Sequence, residues 1–138
     1  MIEEQLVWMA GVFDGEGSIS IIRSKRQTTL VASVGNTERE LVSPFKHRFG
    51  GTTWIERRPP DKTMFMWKIS ARQASAFLEE ILPYLHSKRK RSIAVLAIEF
   101  QQIRKWGGGK SSHPPQLKAR EERFRLAVRK ANDGRQRD

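Results

Sequence analysis

Residues 6–21 read LVWMAGVFDGEGSISI, and no other stretch narrows the possible folds as sharply. Its apolar residues fall on two helical stripes. Leu6, Met9, Ala10 and Phe13 form one, and Trp8, Gly11, Val12 and Gly15 form the other. A helix apolar on two sides has to be covered on two sides. One side can face the chain's own core. The second is either buried in the same domain or covered by a partner, and the four-residue spacing of Gly11 and Gly15 suits close backbone approach. The helix, read over residues 3–14, opens on Glu3 and Glu4, whose charge suits the positive end of its dipole. It then runs into two carboxylates, Asp14 and Glu16, separated by a glycine, and at once into an alternating strand.

The rest of the chain alternates helical and strand patterns. Strands are expected over 18–26 and 29–35, with a turn at Gln27-Thr28. A helix follows over 38–49, capped by Asn36 or Thr37, with Leu41, Phe45 and Phe49 inward and Pro44 as a candidate kink. Gly50-Gly51 stops it. A hairpin is expected over 52–58 and 63–70, around Pro59-Pro60-Asp61. Helices over 72–82 and 88–105 come next, the latter opening on Lys88-Arg89-Lys90-Arg91. This order predicts an α+β fold with one four-stranded antiparallel sheet and C-terminal helices. Residues 1–105 form the core. Residues 106–138 are a Gly/Pro linker and a basic amphipathic helix over 116–131, either part of the same domain or a solvated tail.

Charge indicates the kind of partner. The formal net charge is +11. Residues 101–138 carry 11 Lys and Arg against 4 Asp and Glu, so most of the surplus sits in the last quarter of the chain. Such an excess suits a polyanion. The chain has no cysteine, which excludes disulfides and thiolate metal sites. No stretch approaches the roughly 20 apolar residues of a membrane span. The acidic start MIEEQ is no secretion signal, so an intracellular protein is expected, bacterial, phage or organellar, with no membrane partner. His47, His86 and His113 have no spacing that fits a histidine-based nuclease centre.

The segment Met9-Ala10-Gly11-Val12-Phe13-Asp14-Gly15-Glu16-Gly17 resembles the signature of the LAGLIDADG homing endonucleases, and the α-β-β-α-β-β-α order is also that family's. The resemblance covers roughly residues 5–105. It implies a Mg2+-dependent endonuclease, with Mn2+ or Ca2+ able to substitute in binding, that cuts both strands of a long, near-palindromic double-stranded DNA. One motif implies the homodimeric type, packed through Trp8, Gly11, Val12 and Gly15, and serving the mobility of the element that encodes it. Glu16 takes the family's metal-binding acid position, usually aspartate, and the Gly15 carbonyl is a second ligand. Asp14 is expected to anchor the helix end.

The resemblance also places Asn36 where the family has a polar residue holding metal-bound water, although the same side chain makes a good helix cap. Lys88 falls where the family has a basic residue near the scissile phosphate, and Lys90 is its rival for that place or a DNA contact. In this fold one sheet face lies in the major groove. Strand alternation sends Ile19, Ile21, Leu30, Ala32 and Val34 to the core. It leaves Ser20, Ile22, Ser24, Arg26, Thr29, Val31 and Ser33 for DNA, with Arg23 reaching a phosphate. Either Arg57 or Arg58 reaches guanine or phosphate, Trp54 and Trp67 are expected in the core, and the basic tail touches flanking DNA. The alternatives are a non-cleaving relative, namely an RNA-splicing maturase bound to its own intron RNA or a transcription regulator, and a structural protein, which the charge disfavours.

Overall fold

The computed structural model describes residues 2–25, 27–60, 62–105 and 115–133. Helix α1 spans Ile2–Glu16 and passes directly into β1, Gly17–Arg23. It therefore runs two residues beyond the expected end and carries both Asp14 and Glu16 in its last turn. Strand β2 covers Thr28–Asn36, α2 Arg39–Phe49, β3 Thr52–Arg58 and β4 Lys62–Ser70. Helix α3 spans Ala71–Ile81, a single 3-10 turn covers Leu82–Tyr84, and α4 and α5 span Lys88–Lys105 and Pro115–Asp133. Strand β1 ends at Arg23, short of the expected residue 26, because Ser24 closes the turn. Its Oγ donates to the Gln27 carbonyl at 2.9 Å, and its backbone N–H bonds the same carbonyl.

The four strands form one antiparallel sheet in the order β1-β2-β4-β3. Register fixes which side chains share a face. Ile19 pairs with Ala32, which pairs with Ile69; Ser20 pairs with Val31, which pairs with Ser70. The first row is buried beneath the helices, and the second lies on the opposite face. All five apolar residues expected in the core from strand alternation are buried there.

Aromatic rings build the centre of that core. Phe77 meets Phe13 at 5.3 Å, Trp67 at 5.2 Å and Phe49 at 4.8 Å between centroids, all edge-on. Such pairs add about 0.5–1.5 kcal/mol each beyond the area they bury. In α2 the fully inward residues are Val42 and Phe45, and Leu41 is only half-buried. Gly51 has a structural reason to be glycine. Its φ is +88°, and a Cβ would stand 2.4 Å from the Lys68 carbonyl oxygen.

Helix α5 packs on α4 and β1. Val128 is buried, Phe124 meets Phe100 at 6.4 Å, and Asn132 Nδ2 donates to the Ile19 carbonyl at 2.9 Å. Arg104 donates to the Thr28 carbonyl and pairs with the buried Glu121 at 3.3 Å. Residues 115–133 are thus a docked helix, not the solvated tail left open by the sequence. Among the described residues, no helix is long and apolar enough to cross a membrane.

Candidate functional site

The two carboxylates at the end of α1 have different tasks. Asp14 faces the start of α4: its Oδ2 accepts from the His86 N–H at 2.9 Å and its Oδ1 from the Ser87 N–H at 3.1 Å. Both donors lie just ahead of the first turn of α4, Ser87 at the cap position, and a carboxylate at that end suits the helix dipole. Ser87 continues the cap, its Oγ accepting from the Lys90 N–H at 3.1 Å. Lys90 returns the contact, donating from Nζ to the carbonyls of Phe13 at 2.8 Å and Asp14 at 2.6 Å. The C-terminus of α1 and the N-terminus of α4 are locked by two charges of opposite sign, each at the dipole end that favours it. Asp14 holds the anchoring place expected of it.

Lys90 does not. It is 4% exposed, and its ammonium lies over the Phe13 ring, 5.7 Å from the centroid. A group so placed contacts no DNA, because burial against helix-end carbonyls satisfies it better than the solvated run of cations read from the sequence. Lys88, the first residue of α4, remains exposed, and so does Glu16, the last residue of α1. The Asp14 and Lys90 contacts hold these two helix ends against each other.

Among the described residues, little covers the second stripe of α1. Val7 is 49% and Trp8 41% exposed, and Val12 is half-buried. A Cβ added at Gly11 or Gly15 would meet nothing within 4 Å. Among the described residues, then, α1 is not covered on both sides by its own domain. Gly17 differs, since a Cβ there would press into the Phe13 ring at 2.3 Å. Asn36 is spent on a turn, its Oδ1 accepting from the Glu38 N–H at 2.8 Å. The cap position of α2 itself is Glu38, not Asn36 or Thr37.

On the open face of the sheet stand Ser20, Ile22, Thr29, Val31 and Ser33, as expected, with Ile22 50% exposed. Ser24 is engaged in its turn, and Arg26 lies outside the described residues. Arg23 has the parity of Ile19 and Ile21 and turns to the helix side, where it pairs with Glu122 of α5 at 3.6 Å. The side chain stays 65% exposed there, on the opposite side of the sheet from the open face. Arg57 shares the helix-side parity through its pairing with Thr63, whereas Arg58 pairs with Lys62 on the open face.

Trp54 is a second correction. Trp67 is fully buried, but Trp54 pairs with Met66, is half-exposed, and stands on the open face. Lys68 Nζ lies 5.6 Å from its ring centroid. Its Nε1 donates to Glu56 Oε2 at 3.0 Å, and Arg58 donates to Glu56 Oε1 from Nε at 3.3 Å and Nη2 at 2.9 Å. The Arg58 and then the Trp54 hydrogen bonds hold the Glu56 carboxyl below the usual carboxylate range. Sequence reasoning missed this trio, although its i, i+2, i+4 spacing put the three residues on one face.

Among the described residues, no group of three or more His, Asp or Glu side chains is placed to hold a metal ion. The arrangement instead presents one exposed carboxylate at the end of a half-uncovered helix, beside a sheet with one open face. This is the layout of the LAGLIDADG endonuclease fold. The sequence matches the family profile described as "LAGLIDADG-like domain" over residues 3–82, and the chain belongs to that family. No curated protein matches its sequence.

Among solved structures, the chain is similar to the archaeal intron-encoded homing endonuclease I-Vdi141I complexed with DNA. That match has a TM-score of 0.77 at 15% identity, covering 95% of this chain and 86% of that one. It is also similar to the homing endonuclease I-CvuI in complex with the I-CreI target, with a TM-score of 0.74 at 17% identity, covering 94% and 82%. I-SmaMI, bound to an uncleaved DNA target in the presence of calcium ions, matches with a TM-score of 0.63 at 19% identity over 90% of this chain but 45% of that chain. At these identities the likeness is one of fold.

Proposed function

We propose that this chain is a homodimeric, divalent-metal-dependent endonuclease that cuts both strands of a long, near-palindromic DNA site and serves the mobility of the element encoding it. The observation that carries the reading is Glu16, exposed at the end of a helix whose outer face is apolar and open at Gly11 and Gly15. Two copies packed through Trp8, Gly11, Val12 and Gly15 would bring two Glu16 carboxylates together on a two-fold axis, each half reading one half-site. The solved relatives support the same arithmetic, since the chain spans most of I-Vdi141I but under half of I-SmaMI.

The donor set fits a hard divalent cation. Glu16 supplies a carboxylate and the neighbouring Gly15 a carbonyl, both oxygen donors at the exposed end of a helix. One chain supplies a share of such a site, and its twin the other share. Mg2+ bound there would act as a Lewis acid and lower the pKa of an attacking water. This chain's own residues do the rest. Lys88 places an ammonium near the scissile phosphate, where it stabilises charge building on the phosphoryl oxygens. Asn36, with Oδ1 committed to its turn, has Nδ2 to offer a nearby water. Asp14 and Lys90 keep the Glu16 and Lys88 helix ends together.

The sheet's open face is read as the DNA surface. Ser20, Thr29 and Ser33 can bond base edges, Ile22 and Val31 suit thymine methyl groups, and Arg58 stands at the strand end. The basic α5 is assigned to flanking phosphates, a sequence-independent and salt-sensitive contact.

The test is cleavage of a randomised-target DNA library with magnesium and with chelator. Discrete magnesium-dependent cuts at a near-palindromic site are expected from the native chain. Glu16→Gln is expected to bind the same site and leave it uncut. Normal cutting by that variant would overturn the assignment of Glu16, and specific binding without any cutting by the native chain would shift the reading to a maturase or regulator.

A further inference from the structure

On the open face, the described residues of the two hairpins include serines, threonines, apolar side chains, Lys62, Lys68, Arg58 and a single acid, Glu56. A carboxylate on a surface meant for a polyanion is repelled by phosphate, so it needs a compensating role. Glu56 is also half-buried and fully engaged, with both of its oxygens in hydrogen bonds. Trp54 Nε1 fixes Oε2, and Arg58 Nε and Nη2 converge on Oε1.

The consequence falls on Arg58. Guanidinium has five donors in a rigid plane with two usable edges. Glu56 takes the side edge formed by Nε and Nη2. The outer hydrogens, on Nη1 and on the far side of Nη2, have no partner among the described residues, and the side chain is 56% exposed. A flexible arginine can choose between a phosphate and a base. One held along its side edge is left with a planar, two-donor fork, which matches guanine O6 and N7.

We infer that Glu56 is a positioning residue that makes Arg58 a reader of guanine, so that each half-site carries a guanine beneath the end of the β3–β4 hairpin. Trp54 braces the carboxylate from the other side and is itself covered by Lys68. The low-lying ionisation of Glu56 keeps this brace charged at neutral pH. The inference rests on the reading of the open face as the DNA surface.

The experiment is selection of a randomised duplex library in calcium, followed by sequencing of the bound pool for the native chain, Glu56→Ala, Glu56→Gln, Arg58→Ala and Arg58→Lys. The native pool is expected to fix one guanine per half-site, with a preference of about tenfold or more. Arg58→Ala and Arg58→Lys lose the preference at that position alone, since an ammonium has no planar fork. Glu56→Ala broadens the same position while its affinity for non-specific DNA holds or rises, and Glu56→Gln falls between. A general loss of stability would not produce that position-specific change. An unchanged profile in Glu56→Ala overturns the inference while the DNA reading stands. So does an Arg58→Ala effect spread evenly over all sequences with a shallower salt dependence, which is the mark of a phosphate contact. A native chain that enriches no sequence overturns the DNA reading, and the inference falls with it.

Discussion

Helix α1 has two apolar faces, and the molecule treats them in opposite ways. Leu6, Met9, Ala10 and Phe13 are between 0% and 7% exposed. On the other face, Val7 and Trp8 are 49% and 41% exposed, and Gly11 and Gly15 look onto open space. Hydrophobicity therefore does not distinguish the faces; the supply of covering residues does. The sheet and α3 fill one side. Beyond the edge of Phe45, 6.4 Å from the Trp8 ring, the described chain has little to set against the other. Two kinds of free energy are at issue, one of folding and one of association, and substitutions on the two faces should separate them.

The largest effect is expected on the inner face. Phe13→Ala removes a ring that is fully buried against Phe77 and lies beneath the Lys90 ammonium. Its cost is about 3–5 kcal/mol of folding stability. Val7→Ala, six residues away on the outer face, is expected to change the unfolding free energy by no more than about 0.5 kcal/mol. Urea unfolding at a concentration where both variants have the same mass checks the contrast. Equal losses would mean that the outer face is also part of the folding core.

The helix-end lock comes second. Asp14→Ala removes the acceptor of the His86 and Ser87 N–H groups just ahead of α4 and is expected to cost about 1–2 kcal/mol, in the range of a lost helix cap. Lys90→Met keeps the stem but leaves the Phe13 and Asp14 carbonyls without their ammonium, at about 1–3 kcal/mol. Because both contacts join the same pair of helix ends, the double variant should lose less than the sum. Strict additivity in urea midpoints would show that the two contacts act separately.

These residues also show what a sequence discloses. The two stripes of α1, the strand alternation of β1 and β2 and the anchoring role of Asp14 were all legible, because each follows from periodicity or from a contiguous motif. Lys90 was not. It sits in a run of four cations, and only the arrival of the α1 C-terminus from 76 residues upstream distinguishes it from Lys88. Trp54 and Trp67 read alike in sequence. Pairing registers decide between them, setting Trp67 opposite Val34 on the buried side and Trp54 opposite Met66 on the open one. Arg23 has the alternation of a core residue and the charge of a surface one, and the docking of α5 gives it Glu122. What escaped the sequence was a contact between elements, distant along the chain for Lys90 and Arg23 and across one hairpin for Trp54.

The smallest effect on the fold is expected from Gly15→Leu, which tests the comparison most directly. The site is in the last turn of a helix, and a Cβ there meets nothing within 4 Å. Glycine is a poor helix residue, about 1 kcal/mol worse than the best formers, so leucine should leave the single chain as stable as before or slightly more so. Association should respond the other way. Two helices that approach through Gly11 and Gly15 cannot keep that distance with an isobutyl group between them. Light scattering is therefore expected to show a dimer for the native chain and a monomer for Gly15→Leu, at unchanged or raised unfolding midpoints once concentration effects are removed. A variant that stays dimeric would place the interface elsewhere and leave the outer face of α1 to a different partner.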